Sequence, residues 1–188
     1  MRNCKNTFRT ENFFVRNKPN FYFFSMKNLD FQPSKSKAEF HKNYKLHDLA
    51  EWNGKNLLEQ WGIGYTEFGR DNRFKKVWEK GKDKPDGIIE YKSGSAFIDW
   101  KAKHKKEWLV NKRAVEAYEQ WSKKFNLPVI IAFFVFDDNN NLLEKRFAFL
   151  GKHNYFVSAG KQWDKNQTVE FENRLPEFNK AEILNYLL

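Results

Sequence analysis

Asp86, Asp99 and Lys101 are three side chains whose types and spacing could hold a divalent metal ion and act on a phosphate. Asp86 stands in Pro85-Asp86-Gly87, and thirteen positions on comes Ile98-Asp99-Trp100-Lys101. Successive residues of a β-strand face opposite ways, so Ile98 and Trp100 should share one face and Asp99 and Lys101 the other. The first pair can enter a core while the second shares a solvent-reaching side. If the intervening residues fold back as a hairpin, Asp86 returns beside Asp99. Two carboxylates held together repel each other, and a divalent cation relieves that repulsion. Hard oxygen ligands with room for water suit Mg²⁺ or Mn²⁺. A lysine beside such an ion can orient an attacking water or stabilise charge building on a phosphate. A plainer reading makes Asp86 a turn cap and Asp99–Lys101 an exposed strand pair. It leaves unexplained why two charges interrupt an otherwise apolar strand.

The elements needed to position these residues are legible on either side. Leu46, Leu49, Ala50, Asn53, Leu57, Leu58 and Trp61 recur mostly at three- and four-residue steps, which predicts a helix over Tyr44–Trp61 stopped by Gly62. Gly54 is a weak point in its middle. Residues 63–85 are irregular, basic and aromatic, with a short strand expected at Gly64–Phe68. Gly87–Tyr91 and Ala96–Lys101 form the hairpin around a turn at Lys92–Ser95. A second helix is expected over Asn111–Phe125. The run Val129–Phe136 has no polar alternation and should be a strand covered on both faces. Asp137–Asn141 turns into a strand over Leu142–Leu150. A strand at Thr168–Glu172 and a helix at Ala181–Leu188 close the chain. The order predicts a small mixed-sheet α/β domain over residues 37–188, with a right-handed crossover from Ala96–Lys101 through the second helix to Val129–Phe136. Residues 1–36 read as an N-terminal extension in which Met26 is an alternative start. No apolar run followed by a small-residue cleavage site marks a signal peptide.

Composition narrows the function. The 188 residues carry 34 Lys+Arg against 24 Asp+Glu, a formal charge of +10, and 40% are apolar, enough for a core. Cys4 is the sole cysteine, which excludes an intramolecular disulfide framework, a thiolate zinc site and a CxxC redox pair. His41 and His47 have no matching Cys or His cluster, so no zinc site is expected. No apolar run approaches the roughly 18 residues of a membrane helix. The chain reads as a soluble, basic, intracellular protein. Its charge suggests a polyanion partner, nucleic acid above all. Lys103, Lys105 and Lys106, with His104 between them, are expected on a phosphate-contacting loop, and Lys112 and Arg113 follow at the helix start. Arg70, Arg73, Lys75, Lys76 and Trp78 mix cations with aromatics and offer a second grip.

The motif residues resemble the bipartite signature of the PD-(D/E)xK nuclease superfamily, and within it the chain is most similar to archaeal Holliday junction resolvases. The likeness runs over about residues 49–136. It takes in Leu57-Leu58-Glu59-Gln60-Trp61-Gly62, Ile98-Asp99-Trp100-Lys101, Val110-Asn111-Lys112-Arg113 and Pro128-Val129-Ile130-Ile131-Ala132. The resemblance implies a restriction-endonuclease-like mixed β-sheet flanked by helices and Mg²⁺- or Mn²⁺-dependent hydrolysis of DNA phosphodiesters by a homodimer. It implies that Asp86, Asp99 and the backbone carbonyl of Trp100 hold the metal, that Glu51 completes the set (Glu59 is second choice), and that Lys101 is catalytic. The stretch between Gly62 and Asp86 is longer than in the resolvases, and substrate choice sits on such elements. A restriction- or repair-type endonuclease on linear DNA, or a non-catalytic nucleic-acid-binding module, remain the alternatives.

Overall fold

A computed structural model describes residues 37–69, 83–163 and 166–188. The extension 1–36 and the cluster Arg70, Arg73, Lys75, Lys76 and Trp78 lie outside the described residues. In chain order the elements are α1 (Lys37–Trp61), β1 (Gly64–Glu67), β2 (Gly87–Tyr91), β3 (Gly94–Lys103) and β4 (Leu109–Asn111). Then follow α2 (Lys112–Phe125), β5 (Val129–Phe136), β6 (Leu142–Phe149), β7 (Tyr155–Trp163), β8 (Asn166–Phe171) and α3 (Lys180–Leu187).

The apolar run of β5 is buried along its whole length, because it lies inside a five-stranded sheet ordered β1-β2-β3-β5-β6. β3 and β5 are parallel, with Trp100 opposite Ala132, and the other neighbours are antiparallel. The sheet is therefore mixed, and helices cover it, as the element order predicts. Alternation along the strands sorts the core into two layers. Ile98, Trp100, Ile130 and Phe134 pack with Ala50 and Leu58 of α1 and Ile183 of α3. Phe97, Val129, Ile131 and Phe133 pack with Val115 and Tyr118 of α2 and with Val169 and Phe171 of β8.

Gly54, the flaw in the α1 pattern, has a structural cause. A Cβ there would stand 2.3 Å from Cζ3 of the fully buried Trp100. Glycine lets the helix close onto β3 at the residue that carries the site. Gly62 ends α1 at φ +69°, with Ile63 N–H donating to the Leu58 carbonyl at 2.9 Å.

Three features depart from the sequence reading. α1 begins seven residues earlier than the periodicity starts, at Lys37. β3 runs on to Lys103 instead of ending in a loop. A second sheet, ordered β4-β8-β7, packs on the α2 side, and neither β4 nor β7 was anticipated. The three residues of β4 are too few for a visible period. β7 passes through Ser158-Ala159-Gly160, which breaks its apolar alternation.

Candidate active site

The β2–β3 register brings the two halves of the motif together. Gly87 pairs with Ile98, so one step further out Asp86 stands opposite Asp99. Asp86 ends the ladder with its side chain: Oδ2 accepts the Trp100 N–H at 2.7 Å. In an extended strand the N–H and C=O of one residue point to the same side. The Trp100 carbonyl is thereby aimed at the edge where Asp86 lies. The Asp86 backbone carbonyl is held too, accepting the N–H groups of Phe68 at 2.9 Å and Gly69 at 3.1 Å.

The approach to Asp86 is clamped from α2. Arg113 grips Asp83 with both ends of its guanidinium, Nη2 to Oδ1 at 3.0 Å and Nε to Oδ2 at 2.9 Å. Trp121 Nε1 donates to the Asp83 carbonyl at 3.0 Å. Arg113, expected to touch DNA, is instead a largely covered partner of an acid. Such a bidentate pair fixes geometry as well as charge.

Asp99 departs from its expected place. It does not face solvent; it is 1% exposed, because α2 lies across that face of the strand. Tyr118 O–H donates to Asp99 Oδ1 at 2.6 Å, and Lys101 Nζ forms an ion pair with Oδ2. Burial pushes the Asp99 carboxyl up to about 6; Lys101 opposes the shift and Asp86 adds to it. Burial alone would also raise Asp86, but the adjoining His47, Lys101 and the Trp100 N–H bring it below the usual carboxylate range. Burial would lower Lys101, and Asp99 and Asp86 overcome this and raise it.

α1 supplies a group that sequence reasoning set aside. His47 Nε2 lies 3.7 Å from Asp86 Oδ2. Burial disfavours the charged imidazole, yet Asp86 raises its pKa overall. One helical turn on, Glu51 shares its face, and His47, Asp48 and Glu51 each offer a ligand atom within 4.8 Å of one another. Glu51 also holds Lys55 at 2.7 Å. Glu59 is exposed near the end of α1, away from this group. His47 thus has the Asp86 carboxylate on one side and the Asp48 and Glu51 carboxylates on the other, with Asp99 across the β2–β3 ladder from Asp86. That set fits a hard or borderline divalent ion with water completing its shell.

The expected basic loop is mostly tied down. Lys103 is on β3, 6% exposed, with Nζ donating to the Leu109 carbonyl at 2.6 Å. The correction follows from parity, since Lys103 continues the buried Asp99–Lys101 face. Lys105 is exposed; Lys106 is exposed and pairs with Glu144 at 2.8 Å; Lys112 lies 3.9 Å from Glu116. Burial drives the Lys103 ammonium down to about 7, with Lys101 adding to the shift. A base whose folded pKa lies below its unfolded value near 10.5 binds fewer protons when folded, so the protein gains stability as pH rises from about 7 toward 10. Lys103→Met removes that gain. The melting temperature of the variant relative to wild type should fall steadily between pH 7 and 9.5; a constant difference would mean that the amine is charged in the fold.

The fold is similar to that of a Holliday junction resolvase. The similarity is to Hjc of Archaeoglobus fulgidus, covering 73% of this chain and 99% of that one at 15% identity and a TM-score of 0.45. No family model and no curated protein matches the chain. Among the described residues no helix is long and apolar enough to cross a membrane.

Proposed function

We propose that the protein is a nuclease that hydrolyses DNA phosphodiester bonds with Mg²⁺ or Mn²⁺. The observation that carries the reading is the Asp86 carboxylate, closed onto the Trp100 N–H with Asp99 and Lys101 flanking that residue and His47 facing it from α1. Asp86, Asp99 and the Trp100 carbonyl would hold the ion from the sheet, and Glu51 with His47 from the helix. When bound, the ion would polarise a phosphate oxygen and lower the pKa of a coordinated water. Lys101 would move from Asp99 toward the substrate, orient the attacking water and offset charge developing on the phosphate. Tyr118 would keep the Asp99 carboxylate in one orientation.

Plasmid DNA tests this reading. Nicking or linearisation in Mg²⁺ or Mn²⁺ and none in EDTA is expected; binding without cutting in either metal overturns it in favour of a binding module. Branched against linear duplex then separates a junction resolvase from a restriction- or repair-type enzyme. Cutting both strands of a junction is proposed to need a homodimer, so sedimentation should detect paired chains at the concentration where cutting is maximal.

The helix ligands give a second prediction. Glu51→Gln and His47→Ala should each weaken Mn²⁺ binding by about 10- to 100-fold in calorimetric titration, the usual range for a lost group in or next to a metal shell. Glu59→Gln should change it little. The reverse ranking would assign the wrong face of α1 to the site.

Lys105 and Lys106 remain the accessible part of the basic loop. Charge reversal at both should reduce the log–log salt slope of duplex binding by about 0.9 for each lost phosphate contact, equally for every DNA sequence. An unchanged slope would remove the loop from the binding surface.

A further inference from the structure

Beside the acidic site, on the α2 face of the sheet, lies a group of aromatic rings that the cleavage chemistry does not use. Phe68, Phe97, Trp121 and Phe125 pack together, with Phe125 set edge-on to Phe68 and Phe97 at centroid distances of 5.7 Å. Phe97 is buried beneath, but Phe125 is 45% exposed. Trp121 cannot swing away, because its ring nitrogen is bonded to the Asp83 carbonyl. Two exposed lysines sit over these rings. Lys84 Nζ is 5.3 Å from the Trp121 centroid and 5.8 Å from that of Phe68; Lys124 Nζ is 5.1 Å from Trp121 and 5.7 Å from Phe125. Lys123 adds a further exposed charge in the same turn.

The position of this patch is fixed relative to the site. Phe68 N–H is bonded to the backbone carbonyl of Asp86, and Phe97 lies two residues before Asp99 on the same face of β3. A strand whose phosphate reached the Asp86–Asp99 edge would pass these rings within a nucleotide or two. Rigid aromatic faces with mobile cations around them are what unpaired bases and their phosphates require together. The bases stack and the lysines exchange a ring for a phosphate oxygen. A base-paired duplex cannot present a free base face to Phe125 without local unpairing.

We infer that the Phe68–Trp121–Phe125 cluster with Lys84 and Lys124 is a stacking platform that holds unpaired nucleotides of a single strand beside the acidic site. The inference rests on the reading that the chain acts on nucleic acid, and it is independent of whether the acidic site cuts. It makes a single-stranded region, such as a gap, flap or open junction arm, the preferred substrate feature.

The test is binding in EDTA, where no cleavage can intervene. Fluorescence anisotropy would compare a labelled twelve-nucleotide oligothymidylate, the matching oligouridylate and a blunt twelve-base-pair duplex. Wild type should bind the single strands more tightly than the duplex. Phe125→Leu, which keeps apolar volume but removes the ring, should weaken single-strand binding about tenfold and duplex binding less than twofold. Lys84→Gln with Lys124→Gln covers the case in which Phe125→Leu perturbs packing. It should also weaken single-strand binding and lower its salt slope without changing the melting temperature. Equal losses on strand and duplex in both variants would overturn the platform as a mere basic patch. So would unchanged single-strand affinity, or a wild type that prefers the duplex. The oligouridylate arm decides whether the platform discriminates RNA from DNA. A protein that binds the strands in EDTA and never nicks plasmid in Mg²⁺ would defeat the nuclease reading and leave the platform standing. One that nicks plasmid and ignores the strands would do the opposite.

Discussion

Asp99→Asn should lower metal-dependent DNA cleavage by at least about a thousandfold while the protein stays folded and still binds DNA. A loss of that size corresponds to roughly 4 kcal/mol in the barrier, within what a metal-holding carboxylate can supply. Asn keeps the shape of the side chain and an oxygen for the Tyr118 hydroxyl, which in Asp99→Ala would be buried without an acceptor. The two variants therefore separate chemistry from packing: both lose cutting, and Ala should also lose stability. DNA binding in EDTA should hold or strengthen, since a negative charge that opposes phosphate is gone. The carboxyl has a second signature. Its folded pKa, about 6, lies above the unfolded value, so the folded protein binds the extra proton and stability falls as pH rises from about 4 to 6. Metal-free melting across that window should show the fall in wild type and not in Asp99→Asn. Cutting by Asp99→Asn at a rate like that of wild type would end the assignment.

Gly54→Ala should destabilise the protein by about 3 kcal/mol, or roughly 6–12 °C in melting temperature for a chain of this size. Helix propensity alone predicts the opposite sign, a gain of about 1 kcal/mol from replacing glycine in a helix interior. The sign is set by Trp100, whose ring atoms Cζ3, Cη2 and Cε3 stand 2.3, 2.6 and 2.7 Å from the new methyl position. That ring has nowhere to retreat, being packed edge-on to Phe134 and Phe178 behind it. Because the backbone of Trp100 holds Asp86, the same substitution should cost activity at temperatures where the variant remains folded. Trp100→Phe in the Gly54→Ala background should recover part of the stability, since the two sites touch and their effects cannot be additive. A variant that melts with or above wild type would show that α1 can slide off β3 freely.

How much of this could be read beforehand depended on whether the signal was local. The hairpin, α2 and β5 were legible because the alternation of Gly87–Tyr91, the helical spacing of Ala114–Tyr118 and the unbroken apolar run Val129–Phe136 each show within a few residues. That a hairpin returns Asp86 toward Asp99 was legible for the same reason, but the register was not: the turn expected over Lys92–Ser95 closes in two residues, with Tyr91 opposite Gly94. His47 was not, because its partner Asp86 is distant in the chain and only the docking of α1 joins them. Tyr118 read as one more apolar residue on a helix face, although a buried hydroxyl has to find an acceptor and Asp99 was the charged group due on that side. Lys103 was assigned to a loop because basic residues crowd there; the alternation that placed Asp99 and Lys101 together would have carried it inward as well. Arg113 looked like a free cation for want of any clue that Asp83 would be folded against it.

The parallel pairing of β3 with β5 sets when the site can exist during synthesis. By the time Tyr118 has left the ribosome, every side chain proposed to hold the metal or act beside it has already emerged. The strand that carries Asp99 still lacks the neighbour that fixes it in the sheet, because residues 129–136 have yet to appear. Long-range parallel contacts of this kind form late, after the cost of closing the intervening chain has been met. A nascent chain is therefore acidic and basic in the right places but has no assembled centre. Competence arrives in one step with the central strand, after the codons for the site have been read.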